Sequence, residues 1–193
     1  MKFLHFRRIK NYNSKTLYQI ENNFSIEIFN QYAKKCDNED DYSLCTLIKF
    51  YGKKLLFTGD LTEESELIKN AGSKISKVDF YLAGGNGTYE ANNEKLLKVI
   101  RPEFTVIAAA AGATKDNIID SCNMFIRYAT KRKNSEKLVY LMGEYVDRKY
   151  NAITGDITFT LSQKNGEIIK SSLRGSKAQP ILNETDWYQN NKK

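Results

Sequence analysis

Few side chains in this 193-residue chain are suited to metal binding or catalysis. The chain holds a single histidine, His5, and three cysteines without a Cys-x-x-Cys pair. Zinc hydrolases draw on about two to four histidines, because neutral imidazole is the common nitrogen ligand of such metals. The composition therefore excludes a histidine-based dinuclear site built from this chain alone. It also excludes a catalytic triad whose base is a histidine other than His5.

Two segments in the middle of the chain carry residues that could form a site. Thr58-Gly59-Asp60 ends an apolar run and precedes an acidic helix start. Its Asp60 carboxylate either binds a cation or caps the helix by accepting from free N–H groups. The run Gly84-Gly85-Asn86-Gly87 either cradles a phosphate with its backbone N–H groups or permits a turn with positive φ. Phosphate motifs with a following Lys-Ser/Thr or a dinucleotide spacing are absent, so we expect the turn.

The chain is basic, with 30 Lys and Arg against 23 Asp and Glu and a net charge of +7. Such a balance favours anionic partners such as nucleic acid, although it also occurs as plain solubility. The basic residues are spread out along the chain. Two groups are candidates for binding: Arg7, Arg8 and Lys10 at the start, and Lys131, Arg132, Lys133 and Lys137 after the third expected helix. The second group is also suited to a helix C-terminus, which favours cations.

Strands and helices alternate through the middle of the chain, which predicts an α/β fold with a mixed sheet flanked by helices. The expected order is strands at 16–20, 24–29, 43–50 and 54–58, a helix from 62 to 71, a strand at 78–82, a helix at 90–100, a strand at 104–109, a helix at 116–132 and a strand at 138–142. Residues 153–162 and 167–171 form a closing hairpin across Lys164-Asn165-Gly166. Within 24–29, apolar Phe24, Ile26 and Ile28 alternate with polar residues, which is typical of a half-exposed strand.

The length is that of one domain, which we expect over residues 1–175, followed by a polar tail over 176–193 with an anchoring pair, Trp187-Tyr188. The odd cysteine count argues against a disulfide framework, and Cys45 and Cys122 are expected as small core residues. No apolar run approaches the roughly 20 residues of a membrane span, and no signal peptide is evident. We therefore expect a cytoplasmic protein without a membrane partner.

Four stretches stand in a characteristic order: Tyr42-Ser43-Leu44, Leu55-Leu56-Phe57-Thr58-Gly59-Asp60, then VDFYLAGGNGT at 78–88 and IRPEFTVI at 100–107. This order resembles the C-terminal half of a metallo-β-lactamase-fold hydrolase, and most of all the hydrolase domain of ComEC-type DNA-uptake proteins. The resemblance covers about residues 42–170. It implies a half or truncated αββα sandwich, and it places Asp60 where the family has an aspartate that bridges two metal ions.

The sequence departs from the family at the other metal-ligand positions. The family's Gly-His-His-Gly loop is replaced by Gly84-Gly85-Asn86-Gly87, and the histidine expected after the strand at 104–109 is absent from 110–114. The N-terminal half, with its His-x-His-x-Asp-His motif, is largely missing. The single remaining carboxylate, Asp60, supplies too few ligands to bind the two metal ions of a hydrolytic centre in competition with water. The sequence leaves open the alternative of a single Mg²⁺ ion held by Asp60 with Asp79 or with residues 37–41. These acidic residues are also typical of a solvated surface.

Three functions follow as hypotheses. The first is a degenerate, non-catalytic protein (a pseudoenzyme) that needs no cofactor and binds a partner protein, a subunit that completes the fold, or a copy of itself. The second is a metal-dependent phosphodiesterase or nuclease that uses Zn or Mn with ligands from another chain. The third is a nucleic-acid-binding protein, with affinity that falls steeply with salt. Its contacts would be Arg7, Arg8, Lys10, Lys131, Arg132 and Lys133. We expect the first, because half a sandwich leaves an apolar sheet face to be covered.

Overall fold

The computed structural model describes residues 7–12, 15–29, 38–62, 75–112, 118–131, 137–165, 167–177 and 180–192. Within these residues the chain forms a nine-stranded mixed sheet, a separate two-stranded hairpin and three helices. The α/β class and the mixed sheet expected from the sequence are confirmed.

The nine strands lie side by side in chain order. They are β1 (Arg7–Tyr12), β2 (Lys15–Glu21), β3 (Phe24–Phe29), β4 (Cys45–Phe50), β5 (Lys53–Phe57), β6 (Phe80–Leu82), β7 (Phe104–Ala111), β8 (Leu138–Val146) and β9 (Lys149–Ala152). β1 to β5 are antiparallel, β5 to β8 are parallel, and β9 returns antiparallel to β8. The parallel part is therefore central, and antiparallel strands form both edges.

The helices cover one face of the sheet. They are α1 (Glu94–Ile100), α2 (Ile119–Tyr128) and α3 (Asp186–Asn191). α1 and α2 lie in successive crossovers between parallel strands, and right-handed crossovers in one direction place both helices on the same face. Their buried side chains pack with sheet residues in a large core that includes Leu56, Tyr81, Leu96, Leu97, Ile107, Phe125 and Leu141.

The hairpin covers the other face over β6 to β8, and Leu55 and Phe57 of β5 lie half-buried against the margin of the same cluster. It consists of β10 (Ile157–Lys164) and β11 (Glu167–Gly175), which pair antiparallel. The hairpin is the expected one, but β10 lies at 157–164 rather than 153–162, and β11 continues to 175 rather than ending at 171. The Phe159 ring lies 4.9 Å from the ring of Phe80 and 5.3 Å from that of Phe104, measured between centroids. A second, smaller core forms there from Phe80, Phe104, Val106, Leu138 and Tyr140.

One row of directly opposed residues shows where the described part of the chain leaves this second face uncovered. In order across the sheet it runs Tyr18, Ile26, Ile48, Leu55, Phe80, Phe104 and Leu138. The first four side chains are half-buried, whereas the last three are buried beneath the hairpin. We call the half-buried part, over β2 to β5, the open face. On β3 the side that is buried is the polar one, with Ser25 and Glu27, because it lies on the helix-covered face.

Several elements begin or end elsewhere than the sequence suggests. α1 begins at Glu94 rather than at 90, because the Asn93 side chain accepts from the Leu96 N–H at 3.2 Å and caps the helix. α2 occupies 119–128 of the expected 116–132, and residues 116, 117 and 132 lie outside the described part. β6 is shorter than expected and β7 and β8 are longer, while β1 and β9 are additional strands. The expected helix over 62–71 falls almost entirely outside the described residues.

The C-terminal segment is anchored to the helix-covered core. Leu182 and Tyr188 are buried there, and the Tyr188 hydroxyl donates to the Asn123 side chain at 2.6 Å. The Thr185 hydroxyl accepts from the Tyr188 N–H and so caps α3. Of the helices that the structure describes, none is long and apolar enough to cross a membrane.

Candidate functional site

The loops that follow the parallel strands meet at one edge of the sheet, which we call the carboxyl edge. Asp60 follows β5, and its N–H donates to the Ser43 hydroxyl at 3.2 Å, just before β4. The glycine loop follows β6, and the Gly85 N–H donates to the Gly59 carbonyl at 3.0 Å. Open α/β sheets bind ligands at such an edge.

Asp60 is exposed at this edge, whereas Asp41, which bonds to the turn after Asp60, is buried. Asp41 is only 3% exposed, and one of its oxygens accepts both the Thr62 N–H at 3.0 Å and the Thr62 hydroxyl at 2.8 Å. Asp41 thus stabilises the turn after Asp60. The proposed cap of Asp60 on the following helix depends on residues outside the described part.

The structure does not bring Asp79 to Asp60. Asp79 precedes β6, where its carboxylate accepts from the Lys54 N–H at 2.9 Å and from the Lys53 ammonium at 2.7 Å. Asp60 lies at the other end of β5, and a five-residue strand separates the two carboxylates by roughly 16 Å. A magnesium site shared by this pair is therefore ruled out. Asp37 lies outside the described residues.

The glycine loop is a tight turn whose backbone is already bonded. Gly85, Asn86 and Gly87 have φ values of 52°, 51° and 87°. A Cβ at Gly84 would lie 2.5 Å from the Thr58 hydroxyl oxygen. The N–H groups of Gly84, Gly85 and Gly87 and of Thr88 all donate within the protein. The glycines therefore serve the turn and close packing, since few N–H groups are left to bind a phosphate.

A buried polar network holds this loop. The Tyr81 hydroxyl donates to Asn92 at 2.7 Å and accepts from the Gly84 N–H at 3.2 Å. The Asn92 amide donates to the carbonyls of Gly84 and Thr88, at 2.8 and 2.6 Å. Burial raises the pKa of Tyr81 to about 12, so the phenol stays a neutral donor. Sequence reasoning missed this pair, because Tyr81 stands in an apolar run and Asn92 within an expected helix.

The described residues do not fit a two-metal hydrolytic centre. Among them, no three His, Cys, Asp or Glu side chains stand close enough together to hold a metal ion. Where the family has imidazoles next to Asp60, this chain offers an exposed asparagine, Asn86, and glycines. Asparagine and a single carboxylate are weak ligands for zinc, which prefers nitrogen and thiolate donors.

The two described cysteines are core residues, as expected. Cys45 and Cys122 are fully buried, and burial raises the pKa of both thiols to about 12. A thiol that stays protonated is a poor nucleophile and a poor metal ligand. Cys36 lies outside the described residues.

The described residues of the two basic groups lie far apart. Arg7, Arg8 and Lys10 lie on the edge strand β1, whereas Lys131 follows α2 near the start of β7. Six strand spacings separate β1 from β7, which is roughly 29 Å. Lys137 caps α2 instead, since its ammonium donates to the Arg127 carbonyl at 2.9 Å. Arg132 and Lys133 lie outside the described residues.

No protein-family model matches this chain, and no curated protein matches it either. The resemblance to metallo-β-lactamase-fold hydrolases therefore depends on the residues quoted above for 42–107.

Proposed function

We propose that the protein is a non-catalytic binding subunit, a half metallo-β-lactamase-like sandwich whose open face packs on a second sheet. We further propose that this second sheet belongs to another copy of the chain. The observation that carries the proposal is the row from Tyr18 to Leu138, which is half-buried over β2 to β5 and buried over β6 to β8. By the described residues, one face of the sheet is thus covered over only some of its strands.

The open face has the composition of a sheet–sheet interface. On β3 it presents Phe24, Ile26 and Ile28, and on β4 it presents Ile48 and Phe50. The rings of Phe24 and Phe50 meet edge to face with centroids 5.4 Å apart. Its one charged residue on β3 to β5, Lys53, stands at the margin and pairs with Asp79 at 2.7 Å. Contiguous apolar surface of this kind is typical of an interface.

A second copy fits this face better than a charged partner does. On β3 to β5 the only charged side chain of the face is Lys53, which stands at the margin and is paired with Asp79, so the face demands little charge complementarity. Two such faces are alike and can pack across a two-fold axis. The hairpin already forms a second layer over β6 to β8, so a partner sheet would continue that layer across β2 to β5. Sheets packed in this way interdigitate their side chains about 10 Å apart.

The test is the oligomeric state of the full chain by sedimentation velocity over a range of concentrations. We expect a dimer of the 22.2 kDa chain, and we expect Ile26→Lys to return it to a monomer, because a buried unpaired ammonium is costly. Thr158→Lys is the matched control, since it adds the same charge at an exposed position of β10. Circular dichroism shows that each variant is folded. A wild-type monomer at every concentration, or a dimer that survives Ile26→Lys, contradicts the proposal.

A further inference from the structure

Exposed aromatic side chains are concentrated at the carboxyl edge. The large apolar or aromatic residues most exposed in the described part of the chain are Tyr42 at 46%, Leu44 at 51%, Tyr89 at 47%, Tyr145 at 43% and Tyr150 at 54%. All of them stand in turns or strand ends on this one side of the sheet. Tyrosine is the residue type that interfaces use most for anchoring contacts.

Hydrogen bonds hold the turns that carry three of these residues. Tyr42 and Leu44 flank Ser43, which accepts from the Asp60 N–H. Tyr89 closes the glycine loop, where its carbonyl accepts from the Asn92 N–H at 3.1 Å.

The other end of the edge is formed by β8 and β9. Tyr145 and Tyr150 oppose each other there with ring centroids 5.9 Å apart. Five strand spacings, from β4 to β9, lie between Leu44 and Tyr150, which makes the edge roughly 24 Å long. An edge of that length matches an extended peptide of about seven residues.

Internal packing explains only part of this arrangement. The Tyr150 ring lies on the backbone of Gly143, where a Cβ would come within 2.5 Å of a ring carbon. This contact fixes the ring, yet Tyr150 remains 54% exposed.

The turn between Tyr145 and Tyr150 is formed by Asp147 and Arg148, both with positive φ, at 49° and 64°. Non-glycine residues held in that conformation cluster at functional positions.

The described segments of the carboxyl edge carry a net charge opposite in sign to that of the whole chain. Its described segments, 38–44, 58–62, 83–93, 111–112 and 144–151, contain seven carboxylates against two basic side chains, in a chain of net charge +7. Five of the carboxylates are exposed: Glu39, Asp40, Asp60, Glu90 and Asp147. Within the described part of the chain, none of these five forms an ion pair. Phosphate backbones would be repelled here.

We propose that the carboxyl edge docks a lysine- and arginine-rich segment of another protein. Arginine and lysine pack their aliphatic stems on tyrosine rings and gain a cation–π attraction there. Exposed carboxylates beside the rings accept their N–H groups in charge-assisted hydrogen bonds. The open face lies on a face of the sheet and the carboxyl edge at the strand ends, so this interaction does not depend on the dimer proposed above.

The test is fluorescence anisotropy of a short labelled peptide of alternating glycine and arginine or lysine. A peptide with glutamate in place of the basic residues is the specificity probe, and labelled single-stranded oligothymidylate is the nucleic-acid probe. We expect the basic peptide alone to bind, with affinity that falls as salt rises.

We expect Tyr89→Ser and Asp147→Asn each to weaken binding of the basic peptide about three- to tenfold. Asparagine tolerates positive φ, so Asp147→Asn removes charge without disturbing the turn.

Glu21→Gln is the control, because Glu21 is an exposed carboxylate at the opposite end of the strands. It lowers the negative charge equally and should leave binding unchanged. Ile26→Lys, the variant that tests the dimer, should also bind the basic peptide as the wild type does. The proposal is overturned if the basic peptide does not bind, if Glu21→Gln weakens it as much as Asp147→Asn, or if the oligothymidylate binds through Tyr89.

Discussion

Ile26 on β3 lies directly opposite Ile48 on β4, and both side chains remain half-buried although they continue a row that is fully covered at Phe80. The residues beside them on the same strands, Glu27 and Leu47, point to the helix-covered face and are buried. The sheet is therefore covered on one face along β3 and β4 and open on the other. This asymmetry connects the fold to its proposed binding role.

Adjacent alanine substitutions on β4 measure this asymmetry. We expect Leu47→Ala to lower the free energy of unfolding by about 2–5 kcal/mol, because it leaves a cavity in the core. Ile48→Ala should cost only about 1 kcal/mol in the monomer, because its side chain is half-exposed there. The measurement is urea denaturation at low and high protein concentration. The cost of Ile48→Ala should rise with concentration if a second copy covers the face. Equal costs at both positions in dilute protein would show that the face is already covered.

The buried amide of Asn92 should be essential for the glycine loop. Asn92→Ala removes the acceptor of the Tyr81 hydroxyl and the donor to two carbonyls. Buried polar groups without partners cost about 1–3 kcal/mol each, so we expect a loss of about 3 kcal/mol. Chemical denaturation measures it. The matched control is Asn183→Ala, at an exposed asparagine, with an expected loss below about 0.5 kcal/mol. If the two variants lose the same stability, the network does not support the loop.

Two glycines with nearly the same φ allow the stability cost of backbone strain to be measured apart from the cost of overpacking. Gly52 and Gly87 have φ values of 81° and 87°, but only at Gly87 would a Cβ collide, 2.5 Å from the Ile107 side chain. Gly52→Ala should cost about 1 kcal/mol, from backbone strain alone. Gly87→Ala should cost about 1–3 kcal/mol more, because overpacking is added. Thermal unfolding of both variants tests this, and similar losses would show that the loop moves freely away from β7.

Alkaline pH should destabilise the protein through its buried acids. Burial raises the pKa of Tyr81 from 10.0 to about 12, and that of the Cys45 and Cys122 thiols from 9.0 to about 12. As pH rises through this window the unfolded chain releases protons that the folded protein keeps. The free energy of unfolding therefore falls from about pH 9 to 12, by at most about 1.4 kcal/mol per pH unit for each group.

Urea denaturation at a series of pH values measures this dependence. Tyr81→Phe has no hydroxyl to ionise, so its stability should fall less steeply than that of the wild type between about pH 10 and 12. An unchanged slope in Tyr81→Phe would show that the Tyr81 hydroxyl ionises as easily in the fold as in the unfolded chain.

Local sequence signals predicted most of the individual elements. Alternating apolar residues identified β3, and the Lys164-Asn165-Gly166 turn identified the β10–β11 hairpin. β9 was missed because its turn is formed by Asp147 and Arg148, which lack the usual asparagine–glycine signal for two positive φ values. The start of α1 was misplaced because the cap is decided by one hydrogen bond of Asn93.

Periodicity and turn residues act between neighbours in the chain, so the sequence by itself determined the class of the fold, most of its strands and the burial of Cys45 and Cys122. It could not determine which side of β3 is covered, because that depends on where the helices cross the sheet. Nor could it show that Asp79 is held far from Asp60, or that Tyr42, Tyr89 and Tyr150 share one edge. Those relationships follow from strand order and direction, which join residues distant in sequence, and only the tertiary structure decides them.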